Sequence, residues 1–147
     1  AARLRRVQAN AERLGLRALP PLAAEAVELA AERPDWQGHF QALLLDAACS
    51  GRGTLARHAD ARWRIDGDAV TDLAALQARL LEAMVPLLAP GGRLVYATCT
   101  VHPTENQARI AAFQAAHPTW SLRAEQQCWP GDPQGGDGFY AAVLQAP

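Results

Sequence analysis

Short apolar runs alternate with amphipathic stretches along this chain, a pattern typical of an α/β protein. Apolar positions at helical spacing predict a helix over residues 1–14, a second helix from Asp68 or Thr71 to Leu88, and a third from Thr104 to Ala116. Continuous apolar runs predict strands over Ala42–Leu45, Arg93–Ala97 and Phe139–Leu144. Residues 22–33 are rich in Ala and Glu and fit either a helix or an edge strand. A glycine-rich turn before the last strand allows an antiparallel hairpin at one edge of the sheet.

The predicted helix that ends near Leu88 has the clearest inward face. Its apolar positions are Leu73, Leu76, Leu80, Leu81, Met84 and Leu87. Ala89-Pro90-Gly91-Gly92 is predicted to stop this helix, and Gly15 to stop the first one. In the helix that opens at Thr104 and Glu105, we expect Ile110 and Phe113 to face the core.

The composition narrows the class of protein. The chain has 147 residues, of which 50% are hydrophobic and 20% charged, as in a globular protein of one domain. Its three cysteines lack the spacing of a disulfide framework or a zinc site, and no apolar stretch reaches the ~20 residues of a membrane span. We therefore expect a cytoplasmic protein with no metal and no membrane partner.

The basic residues are unevenly placed, although the net charge of −1 does not by itself indicate a nucleic-acid-binding protein. All of them are arginine. A cluster after Cys49 contains Arg52, Arg57, His58, Arg62, Trp63 and Arg64. Guanidinium groups suit bidentate phosphate contacts and an aromatic ring can stack on a base. Composition alone favours a solvated loop here, and an RNA-binding loop is the alternative.

Two cysteines, Cys49 and Cys99, each follow a predicted strand after a few small residues. In an open α/β sheet, ligands bind in the crevice outside the carboxyl ends of the strands. The sequence therefore predicts two thiols at the edge where such a fold keeps its chemistry. A thiol-based redox protein is the weaker alternative, because the chain has no Cys-x-x-Cys.

The segments around these cysteines form an ordered series of motifs. They are Asp46-Ala47-Ala48-Cys49-Ser50-Gly51, Arg57-His58-Ala59-Asp60-Ala61-Arg62-Trp63, Ala97-Thr98-Cys99-Thr100, His102-Pro103-Thr104-Glu105-Asn106 and Asp137-Gly138-Phe139-Tyr140-Ala141. In this order they resemble the RNA cytosine-5 methyltransferases of the Sun/Fmu (RsmB-like) family. The resemblance covers residues 36–144.

This resemblance implies a class I methyltransferase (Rossmann-like) fold that uses S-adenosylmethionine, with a mostly parallel sheet, an antiparallel C-terminal hairpin and helices on both faces. The implied substrate is carbon 5 of a cytosine in RNA, expected in small-subunit ribosomal RNA, with transfer RNA as the alternative. Cys99 is implied as the nucleophile that adds to carbon 6, Cys49 as the residue that assists release, and Asp46 as the group that holds the base edge. A thiolate suits this role because it is both a nucleophile and a leaving group, and the base must leave its stack to reach it. The resemblance also makes Arg52, Arg57, His58, Arg62 and Trp63 candidate RNA-binding residues.

The departures from the family pattern concern the cofactor side. Residues 1–147 are expected to form one domain, the C-terminal portion of the methyltransferase domain, without the segment that carries the cofactor loop. Asp46 is then the one candidate cofactor contact in the chain. Ala30 stands where the family has an Asp near adenine, with Glu32 as an alternative acidic residue, and Ala48 stands where the family has a Pro before the first cysteine. A catalytically inactive RNA-binding or scaffold protein is therefore the alternative function.

Overall fold

The computed structural model describes residues 2–16, 20–64, 67–133 and 136–147. Within these ranges the α-helices are α1 (Ala2–Arg13), α2 (Leu29–Glu32), α3 (Ala61–Arg64), α4 (Gly67–Met84) and α5 (Gln107–Ala116). The strands are β1 (Phe40–Asp46), β2 (Leu88–Thr98), β3 (Ser121–Cys128) and β4 (Phe139–Gln145). Short 3-10 helices span Pro34–Trp36 and Val85–Leu87. No helix in the described ranges is long and apolar enough to cross a membrane.

The strands form a single sheet in the order β1-β2-β4-β3. β1 and β2 are parallel, whereas β4 is antiparallel to both β2 and β3. The α/β class and the C-terminal hairpin are thus confirmed. The sheet of the described residues is mixed rather than mostly parallel, because two of its three strand pairs, β2–β4 and β3–β4, are antiparallel.

One face of the sheet carries the core. In β2 and β4 alternate residues are buried, among them Leu94, Tyr96 and Leu144, each at 1% exposure or less. The predicted inward residues Ile110 and Phe113 of α5 join the same cluster, together with Leu81 and Met84 of α4. On the opposite face Leu44 is 71% exposed, so no described helix forms the predicted second layer over it.

The predicted helices and strands are found with shifted ends. α1 ends as expected, and Gly15 has the positive φ of 66° that favours glycine. α4 begins at Gly67, so the predicted start residues Asp68 and Thr71 both lie inside the helix. The Thr71 hydroxyl donates to the Gly67 carbonyl at 3.2 Å. β2 begins at Leu88 rather than Arg93, so the Ala89–Gly92 turn lies within the strand.

Three segments differ more strongly from the sequence expectation. Of residues 22–33, regular helix forms over Leu29–Glu32 alone, and no strand forms there. α5 starts at Gln107, so Thr104 and Glu105 precede it in a turn. β3 follows α5 and has no counterpart among the predicted strands.

Candidate active site

The two strand-end cysteines lie side by side. β1 and β2 run parallel with Asp46 opposite Ala97, so the loops that follow them leave the sheet at the same edge. The Sγ atoms of Cys49 and Cys99 are 3.5 Å apart, which is hydrogen-bonding distance for sulfur. Both thiols are free and partly buried. Both thiols thus lie at the sheet edge that the sequence predicted, and they are also in contact with each other.

The environment of Cys49 favours the neutral form of its thiol. Burial, and secondarily the neighbouring Cys99, raise the pKa of Cys49 from the usual 9.0 to about 12. Cys49 is therefore a neutral thiol near pH 7 and can donate a hydrogen bond to the Cys99 Sγ.

The backbone on each side of Cys49 is fixed by a buried polar side chain. Gln77 Nε2 of α4 donates to the Ala48 carbonyl at 2.9 Å, and the Ser50 amide donates to Glu105 Oε1 at 2.8 Å. Gln77 and Glu105 are each fully buried and bonded to one another at 3.1 Å. The loop after β1 is thus anchored immediately before and immediately after its cysteine.

Cys99 is flanked in the same manner by a single residue, Asn106. The Thr98 hydroxyl donates to Asn106 Oδ1 at 2.7 Å, and Asn106 Nδ2 donates to the Thr100 carbonyl at 2.9 Å. Asn106 has no exposed surface, so water does not compete for these bonds. Its position just before α5 ties the second cysteine loop to the start of that helix.

Two glycines bring a third chain segment against the cysteine loops. The Gly53 amide donates to the Cys99 carbonyl at 3.0 Å, and the Gly138 amide donates to the Gly53 carbonyl at 2.8 Å. A Cβ on Gly53 would lie 1.9 Å from the Gly138 oxygen and 2.9 Å from the Cys99 oxygen. A side chain therefore has no room here, which explains glycine at this point of the Cys49 loop.

Asp46 lies at the carboxyl end of β1 with an exposed side chain. β1 is the outermost strand of the sheet formed by the described residues, so the surface beside Asp46 is open on that side. A cavity of about 90 Å³ lies elsewhere, between α4 and α5, against Leu81, Arg109 and Phe113. The described residues hold no group of three His, Cys, Asp or Glu side chains that could bind a metal ion.

The candidate RNA-binding residues lie on the loop after Cys49 and on α3. Trp63 is 84% exposed. Arg57 Nε lies 3.1 Å from Asp137 Oδ2, and this pairs a largely exposed guanidinium with a carboxylate that is 8% exposed. Arg52 is partly buried, whereas His58 and Arg62 are exposed. The Arg57–Asp137 pair ties this loop to the residues before β4.

Two site residues, Glu105 and Gln77, were not among the predicted ones. For Glu105 the sequence predicts only the opening of a helix. Gln77 carried a signal that could have found it, since the buried positions of α4 are Val70, Ala74, Gln77, Leu81 and Met84. A polar side chain in the middle of an apolar stripe needs a buried partner. Here the partners are the Ala48 carbonyl and the Glu105 carboxylate.

Comparisons with known proteins match a family model and curated relatives over nearly the whole chain. The family model described as 16S rRNA methyltransferase RsmB/F matches residues 1–145. The ribosomal RNA small subunit methyltransferase B of Vibrio vulnificus is 40% identical over 151 residues, which cover 97% of this chain and 34% of that protein. The chain thus spans about a third of the length of the curated relatives it matches.

Two solved structures are similar to this chain over nearly its whole length. The crystal structure of PH0851 superposes with a TM-score of 0.89 at 29% identity, over 97% of this chain and 34% of that one. NSun6 from Pyrococcus horikoshii with SFG has a TM-score of 0.75 at 25% identity, over 98% of this chain and 38% of that one.

Proposed function

The chain belongs to the 16S rRNA methyltransferase RsmB/F family, and from that premise we propose that it carries the base-reacting residues of an RNA cytosine-5 methyltransferase. The observation that supports this proposal is the 3.5 Å separation of the Cys49 and Cys99 sulfurs at the carboxyl edge of β1 and β2. The proposed substrate is a cytosine in small-subunit ribosomal RNA, and transfer RNA is the alternative.

Cys99 is the proposed nucleophile. Its thiolate forms a bond to carbon 6 of the cytosine, and the electrons of the C5–C6 double bond move into the ring so that carbon 5 becomes nucleophilic. Carbon 5 is then the atom that would take a methyl group, and S-adenosylmethionine is the donor that would supply it. Loss of the proton from carbon 5 restores the double bond and expels the Cys99 thiolate. The base reaches Cys99 only after it leaves its stack.

Cys49 is proposed to act at release. Because its pKa is raised to about 12, its neutral thiol donates a hydrogen bond to the sulfur of Cys99. A donor 3.5 Å from the sulfur stabilises the negative charge that Cys99 regains when the bond to carbon 6 breaks. A protonated Cys49 is also a poor competing nucleophile.

Asp46 is proposed to hold the base. Its exposed carboxylate at the end of β1 can accept a hydrogen bond from the ring nitrogen 3 of the protonated adduct. The flanking RNA is proposed to contact Arg52, Arg57, His58, Arg62 and Trp63, which follow Cys49 on one loop and the short helix α3.

The residues described here do not by themselves fit S-adenosylmethionine. Asp46 offers one carboxylate, but the surface beside it is open on the outer side of β1, where no further described strand closes a pocket. This chain is therefore proposed to supply the base side of the reaction.

The test uses the full-length gene product, unmodified small-subunit ribosomal RNA and methyl-labelled S-adenosylmethionine. The wild-type protein transfers label to cytosine carbon 5. Cys49→Ala accumulates a protein–RNA adduct that survives denaturing electrophoresis, and the Cys49→Ala/Cys99→Ala double variant accumulates none. Cys128→Ser is the matched control, because this third cysteine ends β3 and is not bonded to the other two.

The outcomes separate the proposal from its alternative. RNA binding without methyl transfer or adduct in any variant would support an RNA-binding scaffold and end the catalytic proposal. An adduct that persists in the double variant would remove Cys99 as nucleophile.

A further inference from the structure

Glu105 is a carboxylate that the proposed reaction does not use, although it lies between the two cysteine loops. It has no exposed surface. Its Oε1 accepts from the Ser50 amide at 2.8 Å and from Gln77 Nε2 at 3.1 Å. Its Oε2 accepts from the hydroxyls of Ser50 at 2.5 Å and Thr100 at 3.1 Å. Four donors therefore converge on one buried carboxylate, which matches the acceptor capacity of its ionised form.

Two of the residues that Glu105 binds are direct neighbours of the cysteines in the chain. Ser50 directly follows Cys49 and Thr100 directly follows Cys99, and their hydroxyls are also 2.9 Å from each other. The carboxylate is thus a bridge between the positions next to the two sulfurs. A change in its reach alters the relative position of both loops.

We infer that Glu105 is a positioning residue that holds Cys49 and Cys99 at their working separation. It touches neither sulfur and acts through Ser50 and Thr100. Its part in catalysis rests on the proposed function, whereas its effect on the distance between the thiols does not.

The geometry predicts an order among variants. Glu105→Gln keeps the reach of the side chain, and its amide oxygen can face the Ser50 amide while its NH₂ faces hydroxyls that can turn to accept. Glu105→Asp keeps the charge but draws it back by one methylene. Glu105→Ala leaves four donors without their acceptor. We therefore expect positioning to decline from Gln to Asp to Ala.

The first assay reports proximity and requires no RNA or cofactor. Diamide oxidises two adjacent thiols to one disulfide, and its N=N bond is reduced to the hydrazine. Peptide mass spectrometry then measures the rate of Cys49–Cys99 cross-linking in the full-length gene product, with Cys128 as an internal thiol. We expect Glu105→Ala to cross-link about tenfold more slowly than wild type and Glu105→Gln to recover most of the rate.

The second assay reports catalysis. We expect Glu105→Ala to lower kcat about 100-fold with the KM for RNA nearly unchanged, because displaced reacting groups cost rate rather than binding. Phe113→Ala is the stability control, since it opens a cavity in the core beside α5 without touching the network. All variants are assayed below their melting temperatures.

The results distinguish the positioning role of Glu105 from the proposed methyltransferase reaction. Cross-linking in Glu105→Ala as fast as in Phe113→Ala, or no recovery in Glu105→Gln, would overturn the positioning role even if Cys49→Ala traps an adduct. Slower cross-linking and no adduct in Cys49→Ala would keep the positioning role and reject the proposed reaction. If Glu105→Ala fails to fold, the order of Glu105→Gln and Glu105→Asp decides.

Discussion

The close approach of Gly53 to the segment before β4 gives the sharpest prediction about stability. In Gly53→Ala the new Cβ would meet the Gly138 oxygen at 1.9 Å, the Gly138 carbon at 2.6 Å and the Cys99 oxygen at 2.9 Å. All three are backbone atoms, so no side-chain rotation relieves the overlap. The two segments must separate, and this breaks the bonds from Gly53 to Cys99 and from Gly138 to Gly53.

The expected cost follows from these losses. Two buried backbone hydrogen bonds and one overpacked contact together cost about 4 kcal/mol of unfolding free energy. For a domain of this size that corresponds to a fall of about 10 °C in melting temperature. Thermal unfolding followed by circular dichroism measures it, with urea titration as a second measurement.

Gly67→Ala is the matched control. Gly67 begins α4, has an ordinary φ, and a Cβ there meets nothing within 4 Å. Alanine at this position should stabilise the protein by about 0.5 kcal/mol. A melting temperature for Gly53→Ala within about 2 °C of wild type would show that the close approach is not a constraint of the folded protein.

Three further predictions concern other parts of the site. Asn106→Ala should lower the free energy of unfolding by about 3 kcal/mol in urea titration, because the Thr98 hydroxyl and the Thr100 carbonyl lose their partner. Asn10→Ala, at an exposed position of α1, should be neutral. An equal effect of the two substitutions would contradict the anchoring of Cys99. Because the pKa of Cys49 is raised, the unfolded chain loses this proton near pH 9.0 and the folded chain near pH 12, so the free energy of unfolding falls as pH rises through that window. Cys49→Ala should flatten the fall in urea midpoints between pH 8 and pH 10.5. An unchanged slope would contradict a buried neutral thiol. Trp63→Ala should weaken RNA binding, measured by fluorescence anisotropy, by about tenfold without a change in melting temperature. Trp63→Phe keeps a stacking ring and should keep most of the affinity. Equal affinity of the wild type and both variants would exclude Trp63 from the RNA interface.

The sequence predicts the elements that carry their own hydrophobic pattern. β1, β2 and β4 carry apolar runs, and Cys49 and Cys99 could be placed because parallel strands end at a common edge. β3 could not be predicted, since Ser121–Cys128 is mostly polar and has no buried residue, and its pairing with β4 makes it a strand.

The polar core of the site escaped prediction for a different reason. Glu105 lies just before a helix, where an acidic residue is usually exposed, yet it is buried against Ser50, 55 residues earlier in the chain. A contact of that sequence separation depends on how the loops meet. Neither propensity nor periodicity describes that meeting.

The double anchoring of each cysteine has a kinetic consequence. With Ala48 and Ser50 held on one side, and Thr98 and Thr100 on the other, the backbone does not have to move for a sulfur to change partner. The remaining freedom is rotation about χ1, and accessible side chains flip between rotamers in picoseconds to nanoseconds. Enzymes turn over in about a millisecond to a second. In the proposed reaction a sulfur would exchange between its neighbour and the base by this rotation alone, which places the slow step of the proposed cycle in RNA handling or bond chemistry.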